Sequence, residues 1–102
     1  MNAIPPMLLS EAHVQTDAPR RYLTQLCKHF QHKVPVALEE SYGRIGFPAG
    51  ICELDATDGG TLTMRVMAGD EPGLATLEDV VTRHLKRFAF RQEPGVRWTR
   101  AV

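Results

Sequence analysis

An amphipathic segment from Arg20 to Val34 constrains the fold of this chain more than any other stretch. Its apolar residues recur every three or four positions, the spacing of one face of an α-helix. They are Leu23, Leu26, Cys27, Phe30 and Val34. Asp17-Ala18-Pro19 precedes the segment and is typical of a helix start, because aspartate accepts hydrogen bonds from free amides and proline has no N–H to satisfy. We therefore expect a helix that ends near Lys33 and buries one face against a second layer.

A second unit of strand followed by helix has the same signature. Thr61 to Ala68 alternates apolar and polar residues, as a half-buried strand does, and Asp70-Glu71-Pro72 again marks a helix start. The apolar stripe of this helix comprises Leu74, Leu77, Val81, Leu85 and Phe88. Two helices with one apolar face each predict a two-layer fold.

The remaining strands complete the predicted architecture. They are Leu9 to Thr16, Val34 to Glu39, Arg44 to Ala56 with a break at Pro48-Ala49-Gly50, and Val96 to Ala101. At the break we expect a bulge or a short connection. The sequence predicts one α+β domain over residues 10–102, a two-layer sandwich with both helices on one face of an antiparallel sheet. The expected order is β-α-β-β-β-α-β, a relative of the ferredoxin-like arrangement with an added hairpin. Residues 1–9 are expected to form a flexible lead.

Charge and composition exclude several classes of partner. The chain has 102 residues and a formal net charge of zero, so no global field attracts nucleic acid or an anionic membrane. Neither a signal peptide nor an apolar run of membrane-spanning length is found, which predicts a cytoplasmic protein. Cys27 and Cys52 lack a CxxC spacing and occupy apolar positions, which indicates two reduced, buried thiols.

Basic residues and histidines near the ends of the two predicted helices are the candidate binding residues. They are Lys28, His29, His32, Arg83, His84 and Arg87. Such a strip suits an anionic ligand or the acidic surface of a partner. A metal site formed by His29, His32 and His84 is an alternative if the helices pack side by side. The sequence predicts no catalytic residue and no cofactor, because it lacks phosphate-loop, dinucleotide-binding and nucleophile motifs.

The sheet face that the helices leave open is a further candidate surface. Alternation places ten residues there: His13, Gln15, Arg44, Ile51, Glu53, Thr63, Arg65, Met67, Arg97 and Thr99. Mixed charge around two apolar side chains suits a recognition surface or a homodimer interface. An ordinary solvated sheet face has the same character.

Three blocks of sequence carry a family resemblance. They are RYLTQLCKHFQHKVPV, GRIGFPAGICELDA and LEDVVTRHLKRFAFR, together with a tryptophan in the final strand. Through these blocks, the chain resembles the bacterial "domain of unknown function 2218" family from about Glu11 to Ala101. The resemblance implies a bacterial domain without an assigned reaction, and it supplies no catalytic residues to carry over. Related domains precede some siderophore-interacting flavoproteins, which implies an iron-acquisition context and a flavoprotein of that kind as partner.

The leading interpretation is a non-enzymatic accessory or binding domain in iron or siderophore utilisation. One alternative is a metal-dependent enzyme that uses the histidines at the helix ends. Another is a structural dimerisation module that uses the open sheet face.

Overall fold

The two-layer α+β architecture is confirmed by a computed structural model that describes residues 7–101. The strands are β1 (Leu8–Gln15), β2 (Val36–Leu38), β3 (Tyr42–Phe47), β4 (Gly50–Asp55), β5 (Thr61–Ala68) and β6 (Thr99–Arg100). The helices are α1 (Pro19–Phe30) and α2 (Glu71–Phe88). Most of the predicted lead lies outside the described residues, although its Leu8 and Leu9 belong to β1.

The sheet order is β2-β3-β4-β5-β1-β6, and every neighbouring pair is antiparallel. The predicted order was wrong in one detail, because the described chain has four strands rather than three between the helices. The difference arises at Pro48-Ala49, where a two-residue turn joins β3 to β4 and leaves Phe47 opposite Gly50. The β6-β1-β5-β4 part follows the β-α-β-β-α-β pattern, and the β2-β3 hairpin extends it at one edge.

Both predicted apolar stripes lie in the core between the layers except at their last residues, Val34 and Phe88, which are only half-buried. Leu23, Leu26, Cys27 and Phe30 of α1 are buried, and so are Leu74, Leu77, Val81 and Leu85 of α2. The alternation of β5 is confirmed as well, since Leu62, Met64, Val66 and Ala68 all point inward and are fully buried. Periodicity therefore identified the buried face of three elements.

The helix starts differ although both contain an Asp-x-Pro sequence. Asp70 directly precedes α2, and its side chain accepts a hydrogen bond from the amide of Gly73 at 2.8 Å. In α1 the first helical residue is Pro19, so Ala18 occupies the capping position and no side chain caps the helix. The Asp17 carboxylate instead accepts a hydrogen bond from the side chain of Gln92 at 3.3 Å. The predicted cap at Asp17 is therefore wrong, because proline takes the first helical position here and the second in α2.

The last turn of α1 ends earlier than the periodicity indicates. The helix stops at Phe30, and Val34 is reached through a turn in which its amide donates to the Phe30 carbonyl at 3.0 Å. Pro35 disfavours helical geometry at Val34, so the helix does not continue to the end of the predicted apolar stripe.

The C-terminal strand is shorter than predicted and covers only Thr99–Arg100. Trp98 precedes it, half-buried, and its indole N–H donates to the hydroxyl of Thr82 on α2 at 2.7 Å. Arg100 forms an ion pair with Glu78 of α2, with 2.9 Å between Nη2 and Oε1. These contacts tie the chain end to α2. Within residues 7–101, neither helix combines the length and apolar character needed to cross a membrane.

Candidate functional site

The C-terminal parts of α1 and α2 meet at a pair of histidines. The ring centroids of His29 and His84 lie 4.8 Å apart. Phe30 is 4.8 Å from His84, and Phe88 is 5.7 Å from His29. Two of the six predicted strip residues are thus brought into contact, within a cluster of aromatic rings.

The two imidazoles differ in what they can do. His84 Nδ1 lies 2.7 Å from the carbonyl oxygen of Val80, one helical turn earlier. A carbonyl only accepts, so Nδ1 carries the proton and donates it in this arrangement. For His29, burial lowers the pKa below its usual range, and electrostatic repulsion from His84, Lys33 and Arg87 lowers it further. The uncharged form of the His29 ring is favoured by both effects.

The other four strip residues are exposed, and among them Lys28 shares a groove with His29. Arg83 is committed to an ion pair with Asp79 on its own helix, at 2.8 Å. His32 lies in the turn beyond α1, so His29, His32 and His84 do not assemble. In the part of the chain that the structure covers, no group of three His, Cys, Asp or Glu side chains is placed to hold a metal ion.

A groove on the outer surface of α1 brings basic side chains together with an aromatic one. Its volume is about 660 Å³. We call it the basic groove, and its lining consists of Arg20, Arg21, Thr24, Gln25, Lys28 and His29 of α1 with Phe88 of α2. The α1 positions come in pairs four residues apart, which places them on one side of the helix. None of these seven lining residues is a carboxylate, so the groove is a local concentration of positive charge on a chain with no net charge.

The sequence interpretation found Lys28 and His29 of this groove and missed most of the rest. Arg21 and Gln25 belong to the polar side of the predicted helix, and their spacing from Lys28 was the available signal. Phe88 had been assigned to the core stripe of α2, but it is only half-buried and its ring reaches the groove. Its position depends on how α2 packs beside α1, and no local pattern reports that.

The open sheet face is covered by a hydrogen-bonded network of charges. Arg65 Nε donates to Glu11 Oε2 at 2.8 Å, and Arg65 Nη1 lies 3.6 Å from Glu53 Oε1. The Tyr42 hydroxyl donates to Glu53 Oε2 at 2.7 Å, and His13 Nε2 lies 2.7 Å from Glu11 Oε1. The hydrogen bond from Arg65 lowers the pKa of Glu11, and the hydrogen bond to Glu53 raises the pKa of Tyr42.

This network bears on the dimerisation hypothesis. The large apolar side chains that residues 7–101 expose are Met7, Leu38 and Phe90, and none of them is among the ten residues predicted for the open face. Ile51 and Met67 are half-buried and lie opposite each other in β4 and β5, with Leu9 of β1 opposite Met67. Dimerisation through this face stays a prediction.

The two thiols are free and buried, as the sequence predicted. Burial raises the pKa of Cys27 to about 11 and the pKa of Cys52 further still. Neither sulfur forms a thiolate at neutral pH, so both act as core side chains.

The fold and the groove define a small α+β domain with a basic surface on its helical layer. The chain belongs to the bacterial family described as an uncharacterised protein conserved in bacteria (DUF2218), whose model matches residues 11–99. It is similar to PA4090 from Pseudomonas aeruginosa, a structure determined by NMR, with 36% sequence identity and a TM-score of 0.77. That similarity covers 90% of this chain and 95% of the other. No curated protein matches the chain.

Proposed function

We propose that this domain is a non-enzymatic binding protein that accepts an anionic ligand in the basic groove. The observation that carries the proposal is the composition of the groove: Arg20, Arg21 and Lys28 line a shallow, open depression without a carboxylate in its lining, and of the three only Arg20 is ion-paired within residues 7–101, with Glu40. In a chain of zero net charge, such a concentration attracts anions to one place rather than to the whole surface.

A binding role rather than catalysis is supported by the state of the reactive groups. Both thiols are buried with raised pKa values. The His84 Nδ1 proton is committed to a backbone carbonyl, and Glu11 and Glu53 on the open face are paired with Arg65. Within residues 7–101 these groups are held by structural partners.

The biological setting of the proposal is iron or siderophore utilisation in the cytoplasm. Its support is the resemblance to domains that precede siderophore-interacting flavoproteins. In that setting the anionic ligand is a ferric siderophore, and the flavoprotein that reduces it is the partner. We propose that these contacts are made by Lys28 and His29 of α1 and by Arg87 of α2. The remaining strip residues, His32, Arg83 and His84, would lie at the edge of the contact surface.

Charge reversal in the groove tests the proposal. We expect the double variant Arg21→Glu, Lys28→Glu to bind a ferric tris-catecholate, which is trianionic, at least about tenfold more weakly than the unmodified chain. The physical reason is that a pair of unit charges 4 Å apart interacts by about 1 kcal/mol even in bulk water, and two such interactions change sign. Dissociation constants measured by titration at low ionic strength provide the comparison.

The matched control is Arg44→Glu, Arg97→Glu, which makes the same change of net charge at two exposed positions outside the groove. Its affinity should stay within about twofold of the unmodified chain, apart from the small effect of overall charge. Equal weakening by both double variants, or no weakening by either, would remove the groove as the binding site. The same two variants tested against the siderophore-interacting flavoprotein of the host show whether the partner uses the same surface.

A further inference from the structure

The basic groove has an aromatic end as well as a cationic one. Phe88 lines it from α2, and the imidazole of His29 lies beside that ring at 5.7 Å with an interplanar angle of 67°. Phe88 packs against the core but is not fully buried, and its exposed part reaches the groove. Because the two rings are inclined to each other, an aromatic ligand can contact one of them face to face and the other edge to face.

The cationic end has charges that are free to bind. Among residues 7–101, Arg20 is paired with Glu40 at 2.8 Å, whereas Arg21 and Lys28 form no ion pair. Arg21 and Lys28 are seven residues apart on one helix, about 10 Å along the axis, a gap that two long side chains can close around one small anion. Thr24 and Gln25 lie between them and offer a hydroxyl and an amide as further donors.

We propose that the basic groove recognises an aromatic oxyanion group, as a small molecule or as one catecholate arm of a larger ferric siderophore. Its ring lies against Phe88 and His29, and its carboxylate or phenolate oxygens lie between Arg21 and Lys28. This inference rests on the proposed function and names the ligand class. The groove is shallow and open to solvent, and its volume of about 660 Å³ has room for one or two aromatic rings of a ligand. Aromatic contact adds selectivity that charge alone does not give, because a saturated anion of equal charge gains the electrostatic attraction without the ring interaction.

Two probes that share a pair of neighbouring carboxylates and differ in aromaticity test the ligand class, provided that the titration is done at a pH where both are dianions. Phthalate and cis-cyclohexane-1,2-dicarboxylate carry two neighbouring carboxylates each, and only phthalate has an aromatic ring. We expect the full chain to bind phthalate five- to tenfold more tightly, with dissociation constants taken from NMR titrations at low ionic strength. Both probes should lose affinity in the Arg21→Glu, Lys28→Glu variant.

The ring contact is tested by Phe88→Leu, which keeps an apolar side chain and removes the aromatic one. Phthalate affinity should fall five- to tenfold, and cyclohexanedicarboxylate affinity should stay within twofold. Phe90→Leu is the matched control, because Phe90 is exposed, lies two residues away and is outside the groove. Its phthalate affinity should be unchanged.

Equal affinity of the unmodified chain for the two probes would overturn the inference, even if Phe88→Leu did not fold. If the two probes bound equally well and both lost affinity in the charge-reversal variant, the proposed anion binding would be supported. Only the claim that the ligand is aromatic would be rejected. Failure of both probes and of the ferric tris-catecholate to bind would overturn the inference and the proposed function together.

Discussion

Replacing Gly50 with alanine is expected to destabilise the domain by about 3 kcal/mol or more, a large fraction of the total stability of a small domain. Gly50 begins β4 with φ = 155°, a backbone conformation that residues with a Cβ rarely adopt. A Cβ at this position would overlap the carbonyl oxygen of Met67 in β5, and it would lie 2.9 Å from Cδ1 of Leu77 on α2. The overlap is with backbone, so no side-chain rotation relieves it.

Gly69→Ala is the control for this prediction. Gly69 follows β5, has no positive φ, and a Cβ added there meets no heavy atom within 4 Å. We expect its free energy of unfolding to lie within about 0.5 kcal/mol of the unmodified chain. Urea denaturation followed by circular dichroism measures both variants. A Gly50→Ala protein as stable as Gly69→Ala would contradict the close approach of β4 to β5 and α2.

Gly43→Ala is expected to cost about 1–3 kcal/mol, for a different reason. A Cβ on Gly43 of β3 would overlap Sγ of Cys27 on α1 and would lie 3.4 Å from Cδ2 of Leu23. Here the clash is with a side chain that can be removed. Cys27→Ala alone should cost about 1 kcal/mol or more, because it leaves a small cavity in the core.

The double variant Gly43→Ala, Cys27→Ala distinguishes a specific clash from general loss of stability. The new methyl group should partly occupy the space that the sulfur leaves. We therefore expect the double variant to be at least about 1 kcal/mol more stable than the sum of the two single effects. Additive effects in a double-mutant cycle from urea titrations would show that α1 does not lie this close to β3. That packing matters for the groove because it fixes which side of α1 faces outward.

The sequence was sufficient for those parts of the fold that depend on short-range pattern. Alternation in β5 identified its buried side chains, and the stripe of α2 identified Leu74, Leu77, Val81 and Leu85. Local capping was less certain. Asp70 caps α2 and Asp17 does not cap α1, although both belong to an Asp-x-Pro sequence. The reason is that α2 begins one residue before its proline, whereas α1 begins at its proline. The turn at Pro48-Ala49 follows from the pairing of β3 with β4. The sequence around the break was compatible with either a bulge or a short connection, and it did not distinguish the two.

The candidate site was predictable only along a single helix. Lys28 and His29 were identified because they share a polar face of α1, and Arg21 has the same spacing. The contact between His29 and His84, at 4.8 Å, requires the two helices to pack side by side at one particular depth. Phe88 lines the groove only because the two helices pack in this way. His32 is exposed because α1 ends at Phe30, before His32 is reached. Tertiary geometry of this kind leaves no mark in the periodicity of either helix.

The most direct test of the central claim is a map of where an anion binds. The iron of a ferric tris-catecholate is paramagnetic and broadens the NMR signals of nearby amides, so substoichiometric addition to the isotope-labelled chain reports location. We expect the earliest broadening at residues 21–29 of α1 and at Phe88, with the Arg21→Glu, Lys28→Glu variant largely unaffected. Broadening centred on Glu11, Glu53 and Arg65 of the open sheet face, or spread evenly over the molecule, would contradict the assignment of the basic groove as the binding site.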